Sequence, residues 1–412
     1  DTDFNEGSFA TTTVYDTGNS AYVGLICVGP DGTCYRKPIT ITENSGSDLT
    51  DYQVLVTLDT ASLISDGKMQ SDCDDIRFTD SDGTTLLNYW IESGCNTSST
   101  RIWVKIPNIP ASSEKTIYVH YGNNSAPSVS NGETTFEFFD DFEGTSLDTS
   151  KWESGPNPLG NGTIKLNTDH ASNTEDDGLK SSQIWGDDGY AVTTKVIAHT
   201  DYTRFFIGWE NNRYKYDDAG SDWWGLYVNG TKVDSWGYNV PGNGLVGKVS
   251  LKVNGKTILV DSTYTHEFTQ YSTNLQKLTL WSWSDSDITI DTVFVRKYTS
   301  SEPTISIGQE KDNPYSSSGI FTSSIIDTGQ NSNWGVISWN ASTTVQTSVV
   351  LKVRSCNDTS CSEESSFNSI TETVSNNQDI SSLSSVSDGD RYIQYQVTLS
   401  TTDTSQTPYF ND

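Results

Sequence analysis

Apolar and polar residues alternate with a period of two over most of this chain, and runs with helical spacing are almost absent. The stretch Val249 to Val260 shows the pattern at its clearest. Leu251 and Val253 alternate with Lys252, Asn254-Gly255 turns the chain, and Ile258 and Val260 return. Asn-Gly favours a type I′ turn, whose twist matches antiparallel strands. Further turn dipeptides stand at Asp31-Gly32, Asp82-Gly83, Asn161-Gly162 and Asn229-Gly230. Many short strands punctuated in this way predict an all-β chain of sandwiches. One short helix is predicted near Ala61 to Asp66. The expected division is an N-terminal strand segment, 1–34, followed by three β-sandwiches (jelly-roll or Ig-like) in series over 35–134, 135–310 and 311–412, with a linker at Lys311 to Ser318.

Two distant stretches are nearly alike: Phe9-Ala10-Thr11-Thr12-Thr13-Val14-Tyr15-Asp16-Thr17-Gly18 and Phe321-Thr322-Ser323-Ser324-Ile325-Ile326-Asp327-Thr328-Gly329. The downstream copy runs on into further strand-like sequence, whereas the upstream copy gives way near Tyr35 to different sequence. A lone strand can neither bury its apolar face nor satisfy its backbone. At the other end, Thr407-Pro408-Tyr409-Phe410-Asn411-Asp412 leaves a sandwich that reads as one strand short. Surplus at the front and deficit at the back predict complementation by strand addition. Between neighbouring copies this contact is heterologous and builds an open filament. A second copy of the chain is then the partner, and Phe9, Val14 and Tyr15 mark the polymerisation strand. The alternatives are closure of the segment onto its own third sandwich, or a piece of a longer tandem array.

Composition narrows the class. A formal net charge of −29 argues against nucleic acid and anionic lipid as partners. Abundant aromatics (Trp 12, Tyr 20, Phe 14) supply core material and argue against disorder. No apolar run is long enough to span a membrane, and Asp1 reads as a processed start. Six cysteines fall into three close pairs, Cys27/Cys34, Cys73/Cys95 and Cys356/Cys361, expected as local disulfides. Six N-x-S/T sequons, at Asn96, Asn123, Asn161, Asn229, Asn340 and Asn357, are expected glycosylation sites. Both features point to an oxidising, extracellular or cell-surface setting. The four histidines are scattered and no C-x-x-C is present, so no zinc or haem site is expected.

Three segments carry a family resemblance: Tyr35-Arg36-Lys37-Pro38-Ile39-Thr40-Ile41, then Asp74-Asp75-Ile76-Arg77-Phe78-Thr79-Asp80-Ser81-Asp82-Gly83, then Ile117-Tyr118-Val119-His120-Tyr121-Gly122. The 35–134 region resembles the secreted domain-of-unknown-function family 2341, found in large bacterial and archaeal surface proteins. That resemblance implies no activity. Downstream, Phe138-Phe139-Asp140-Asp141-Phe142-Glu143-Gly144, Leu147-Asp148 and Lys151-Trp152 look like the opening strand of a concanavalin-A-like jelly roll. Ile288-Thr289-Ile290-Asp291-Thr292-Val293-Phe294-Val295 looks like its closing strand. The resemblance implies a structural calcium, with Asp141, Glu143 and Asp291 as its expected ligands. It does not imply a function, because this fold serves lectins, glycosidases and spacers alike.

Catalysis finds little support. A retaining glycosidase needs two carboxylates about 5 Å apart, and no Glu-x-Asp-x-x-Glu pattern occurs over 135–310. Asp285-Ser286-Asp287 and Glu210 are the nearest approximations. Asp80-Ser81-Asp82-Gly83 starts like a calcium loop but reads more simply as a tight turn. Carbohydrate binding has better material. Trp209, Trp281 and Trp283 read as core, whereas the adjacent pair Trp223-Trp224 splits between the faces of a strand. Trp223, Trp224 and Trp236 are therefore the candidate sugar platforms. The sequence predicts no enzyme. It predicts a structural subunit of an extracellular filament or pilus-like fibre, assembled by strand donation, with a glycan-binding surface adhesin as the alternative.

Overall fold

The computed structural model describes residues 8–16, 21–167, 178–185, 189–199, 204–209, 212–217, 223–228, 231–236, 247–252, 257–260, 264–267, 276–283 and 287–411. It is nearly all β, built of antiparallel sheets that pack as sandwiches. The expected helix is Thr60–Ser65, started by Asp59, whose side chain accepts the Ser62 N–H. Gly247–Lys252 pairs with Thr257–Val260, with Val249 opposite Val260. The Asn254-Gly255 turn of that hairpin lies outside the described residues.

The sandwiches are nested rather than strung in series. The outermost is made from both ends of the chain. One of its sheets sets Ser8–Ala10 against Ser318–Thr322, which pairs onward with Tyr392–Thr401. The other runs Thr12–Asp16, Ala21–Leu25, Tyr409–Asn411, Asn340–Ser342. The middle sandwich opens with Tyr35–Thr42, whose free edge is covered by returning strands Thr304–Ile307 and Lys311–Asp312. The innermost packs two seven-stranded sheets over a core that includes Phe138, Trp152, Leu278, Leu280, Val293 and Val295.

Period-two alternation explains each core. In the middle sandwich Ile39 and Ile41, Val54 and Val56, Ile102, Val104 and Ile106, and Ile117 and Val119 are all buried, two apart on their strands. In the outer one Val23, Leu25, Phe321, Val397, Leu399 and Phe410 are buried together.

At every junction the outgoing and returning limbs run side by side. Val28 N–H donates to Pro314 (2.8 Å) and Ser316 N–H to Ile26 (2.9 Å). Asn313 N–H donates to Cys34 (2.7 Å). Deeper in, Phe138 stands opposite Val295, and Glu137 N–H donates to Val295 (3.0 Å). Residues 311–318, expected as a linker, are therefore half of a two-stranded neck.

Candidate functional site

The candidate donor segment closes its own sandwich. Phe9 stands opposite Phe321, so the two copies of the repeat meet as cross-strand partners with ring centroids 5.0 Å apart. At Thr11 the backbone enters the left-handed region (φ 55°) and crosses from one sheet to the other. Thr11 and Thr12 hydroxyls donate to the carbonyls of Ser318 (2.6 Å) and Ile320 (2.9 Å). The crossing needs Gly319, because a Cβ there would lie 2.5 Å from the Thr11 carbonyl oxygen. Val14 is half-buried against the core, and Tyr15 pairs in register with Tyr22. The vacancy next to Tyr409–Asn411 is filled by Ala21–Leu25, with Val23 opposite Phe410. Surplus and deficit match as the sequence suggests, but the recipient is the same molecule. The physical reason is the nesting, which brings residue 28 against residue 314 and leaves little loop entropy to oppose closure.

A polar cluster locks the outer sandwich to the middle one. Asn313 is 2% exposed. Its amide donates to Thr33 O (2.9 Å) and Tyr35 O (3.3 Å), and lies 3.2 Å from His120 Nδ1. His120 Nε2 is 2.8 Å from the Thr79 hydroxyl. Burial drives the His120 pKa down to about 4, with the Arg36 charge acting in the same direction and the Asn313 bond against it. Arg77, 1% exposed, ties the Cys27–Cys34 loop down through Asp31 (2.5 Å) while donating to the carbonyls of Asp74, Ile76 and Pro127. The middle and inner sandwiches meet chiefly through rings, beside buried Gln53, which donates to Thr135 O (3.0 Å) and accepts the Lys297 N–H (2.8 Å). Trp103, Phe136, Phe139 and Phe294 form a buried cluster with Trp90 packed on it. Arg296 lies over Trp103 at 5.0 Å and pairs with Glu302 (3.0 Å).

Asp141 and Glu143 sit together by Gly162, whereas Asp291 is engaged by the Lys195 ammonium and the Thr292 hydroxyl. Among the described residues no group of three His, Cys, Asp or Glu side chains is placed to hold a metal. The buried acid of this region is Asp140, which accepts the Trp152 indole N–H (2.6 Å) and the Phe142 N–H (2.9 Å). Burial raises its pKa against those bonds. Asp80-Ser81-Asp82-Gly83 is a turn: Gly83 N–H donates to Asp80 O (2.9 Å), and the Asp80 carboxylate faces Lys115 (2.9 Å). Asp82 accepts from Thr84 and Thr85, the Thr85 hydroxyl chief among them, and its pKa falls to about 2.

Trp223, Trp224 and Trp236 belong to strands Trp223–Val228 and Thr231–Trp236. Their side chains lie outside the described residues, as do Glu210, Asp285, Ser286 and Asn229. In register, Tyr216, Trp224 and Trp236 stand opposite one another on successive strands, and Trp223 stands opposite Asp217. Trp281 is buried. All three local disulfides are present, Cys27–Cys34, Cys73–Cys95 and Cys356–Cys361. Asn96, Asn161, Asn340 and Asn357 are exposed, and Asn123 is half-buried, its amide donating to Asp31 O.

Sequence reasoning missed Asn313, His120 and Arg77, because they act across long separations with no local pattern. Trp103 did carry a signal. It sits between Ile102 and Val104 on their opposite face, so a large ring there announces a second buried face.

The family model described as "Domain of unknown function (DUF2341)" matches residues 72–155. The match begins inside the middle sandwich and runs through the aromatic junction to Trp152. None of the curated proteins matches the chain. Over that stretch, from the Cys73 disulfide to the first strands of the inner sandwich, the chain is similar to a family of unknown function.

Proposed function

We propose that the chain is a non-catalytic extracellular surface protein, a stalk that presents its inner sandwich as a glycan-binding tip. The observation that carries this reading is the nesting. The first and last described strands share the outer sandwich, and the inner one sits at the far turning point of the chain path. The inner sandwich is taken as a concanavalin-A-like jelly roll on the motifs quoted above, and its run of aromatic strands supplies stacking surfaces. The test is a glycan array probed with the full chain and with Trp223→Ala and Trp224→Ala. Retention of specific glycans that either substitution abolishes is expected; an array blank with the intact chain defeats the tip reading.

A second reading, a filament built by strand donation, is favoured by one observation. Residues 8–16 and 21–25 already make donor-type contacts, with Val23 and Leu25 fully buried in the recipient core. Exchange of this segment between copies preserves every contact. Light scattering over a concentration series tests it: a ladder of oligomers that Val23→Asp removes is expected, and a strict monomer at all concentrations defeats it.

A further inference from the structure

The outer sandwich is sealed on one side, where residues 10–12 cross between its sheets, and open on the other. On the open side the edge strand Asn340–Ser342 of one sheet faces the start of Thr347–Cys356 on the other. Between them lies a groove of about 460 Å³, lined by Trp339, Asn340, Thr343, Ser348, Val349 and Asn376 among others. That volume falls within the range of about 300–1,000 Å³ typical of small-molecule sites. No lining residue is charged.

The lining is held in place. The Trp339 ring packs on buried Phe410, centroids 5.7 Å apart, and its backbone N–H donates to Asn376 Oδ1 (2.9 Å). Several donors remain unspent within the described residues. The indole Nε1–H of Trp339 is buried without a partner. The Asn376 amide N–H groups and the whole Asn340 amide are likewise unbonded, and both side chains are exposed. A buried donor without an acceptor is unfavourable and unusual in a finished fold.

We propose that this groove is a carbohydrate site that takes an uncharged pyranose. The electron-rich indole face suits the C–H face of a sugar ring. The unspent amides and the Thr343 and Ser348 hydroxyls suit its hydroxyl groups, and the absence of charge selects against sialylated or sulfated sugars. The sugar has two sources, a free glycan or the chain's own glycan on Asn340, which stands at the rim in the sequon Asn340-Ala341-Ser342. The site belongs to a different sandwich from the proposed tip and stands independently of it.

The full chain is prepared without N-glycosylation and titrated with methyl α-mannoside, methyl β-glucoside and chitobiose. Saturation-transfer NMR reads the sugar. Saturable binding of at least one of them is expected, weakened about tenfold or more by Trp339→Ala and by the exposed-site substitutions Thr343→Ala and Asn376→Ala. Trp223→Ala leaves it unchanged, which separates this groove from the tip. The chain from a glycosylating host then assigns the source. Free sugar excluded when Asn340 is occupied, and readmitted by Ser342→Ala, which removes the sequon without touching the groove lining, identifies the chain's own glycan. Undiminished binding identifies an external one. Absence of binding by all three sugars to the unglycosylated chain overturns the proposal, and so does binding that survives all three groove substitutions.

Discussion

The two junctions of this molecule solve the same problem with opposite chemistry. Between the middle and inner sandwiches, five aromatic side chains bury one another, and the attraction is non-directional. Between the outer and middle sandwiches, Asn313, His120, Thr79, Arg77 and Asp31 form a directional polar cluster beside a disulfide. A ring cluster tolerates small shifts and carries no titratable group of its own. A polar one fixes a single geometry and fails when one partner changes protonation or shape. The difference teaches where the molecule is conditional.

The largest effect belongs to the aromatic junction. Trp103→Ala removes a buried ring and costs about 3–5 kcal/mol, read as an earlier denaturant transition of the inner sandwich with the outer one unmoved. Equal shifts in both would dissolve the contrast. Acid should then act chiefly on the other junction. The folded His120 pKa, about 4, lies below the ordinary 6.5. The unfolded chain therefore binds the proton first, and stability present above pH 6.5 is lost as pH falls toward 4. The slope is about 1.4 kcal/mol per pH unit, or about 3 in all. Amide exchange should quicken over that window at residues 311–316 and not at 293–297, and His120→Gln should flatten the response. Replacing Cys27 and Cys34 by Ala releases a short loop and lowers the outer transition by about 2–3 kcal/mol. Asn313→Leu leaves its carbonyl partners unpaired, at about 1–3 kcal/mol, measured as a selective loss in the same transition.

Much of this architecture was readable one strand at a time. Alternation gave Ile39 and Ile41 their inward face, and close spacing gave the three disulfides. The Phe9 and Phe321 repeat revealed a matched pair without revealing that they meet across one antiparallel edge. That outcome depends on strands 304–307 and 311–312 returning to Tyr35–Thr42, a pairing over more than two hundred residues that no local pattern encodes. Asn313, in a stretch composed like a linker, is buried because the returning limb has a neighbour to bond. The Trp339 groove was equally hidden, since its lining comes from three separated segments.

The paired limbs at each neck carry a consequence for resistance to proteolysis. A protease that severs one limb leaves the distal sandwich attached through the other, with the cut ends still registered against their neighbours. Shedding the far portion takes two cuts at the same neck, so a single nick there is a silent injury.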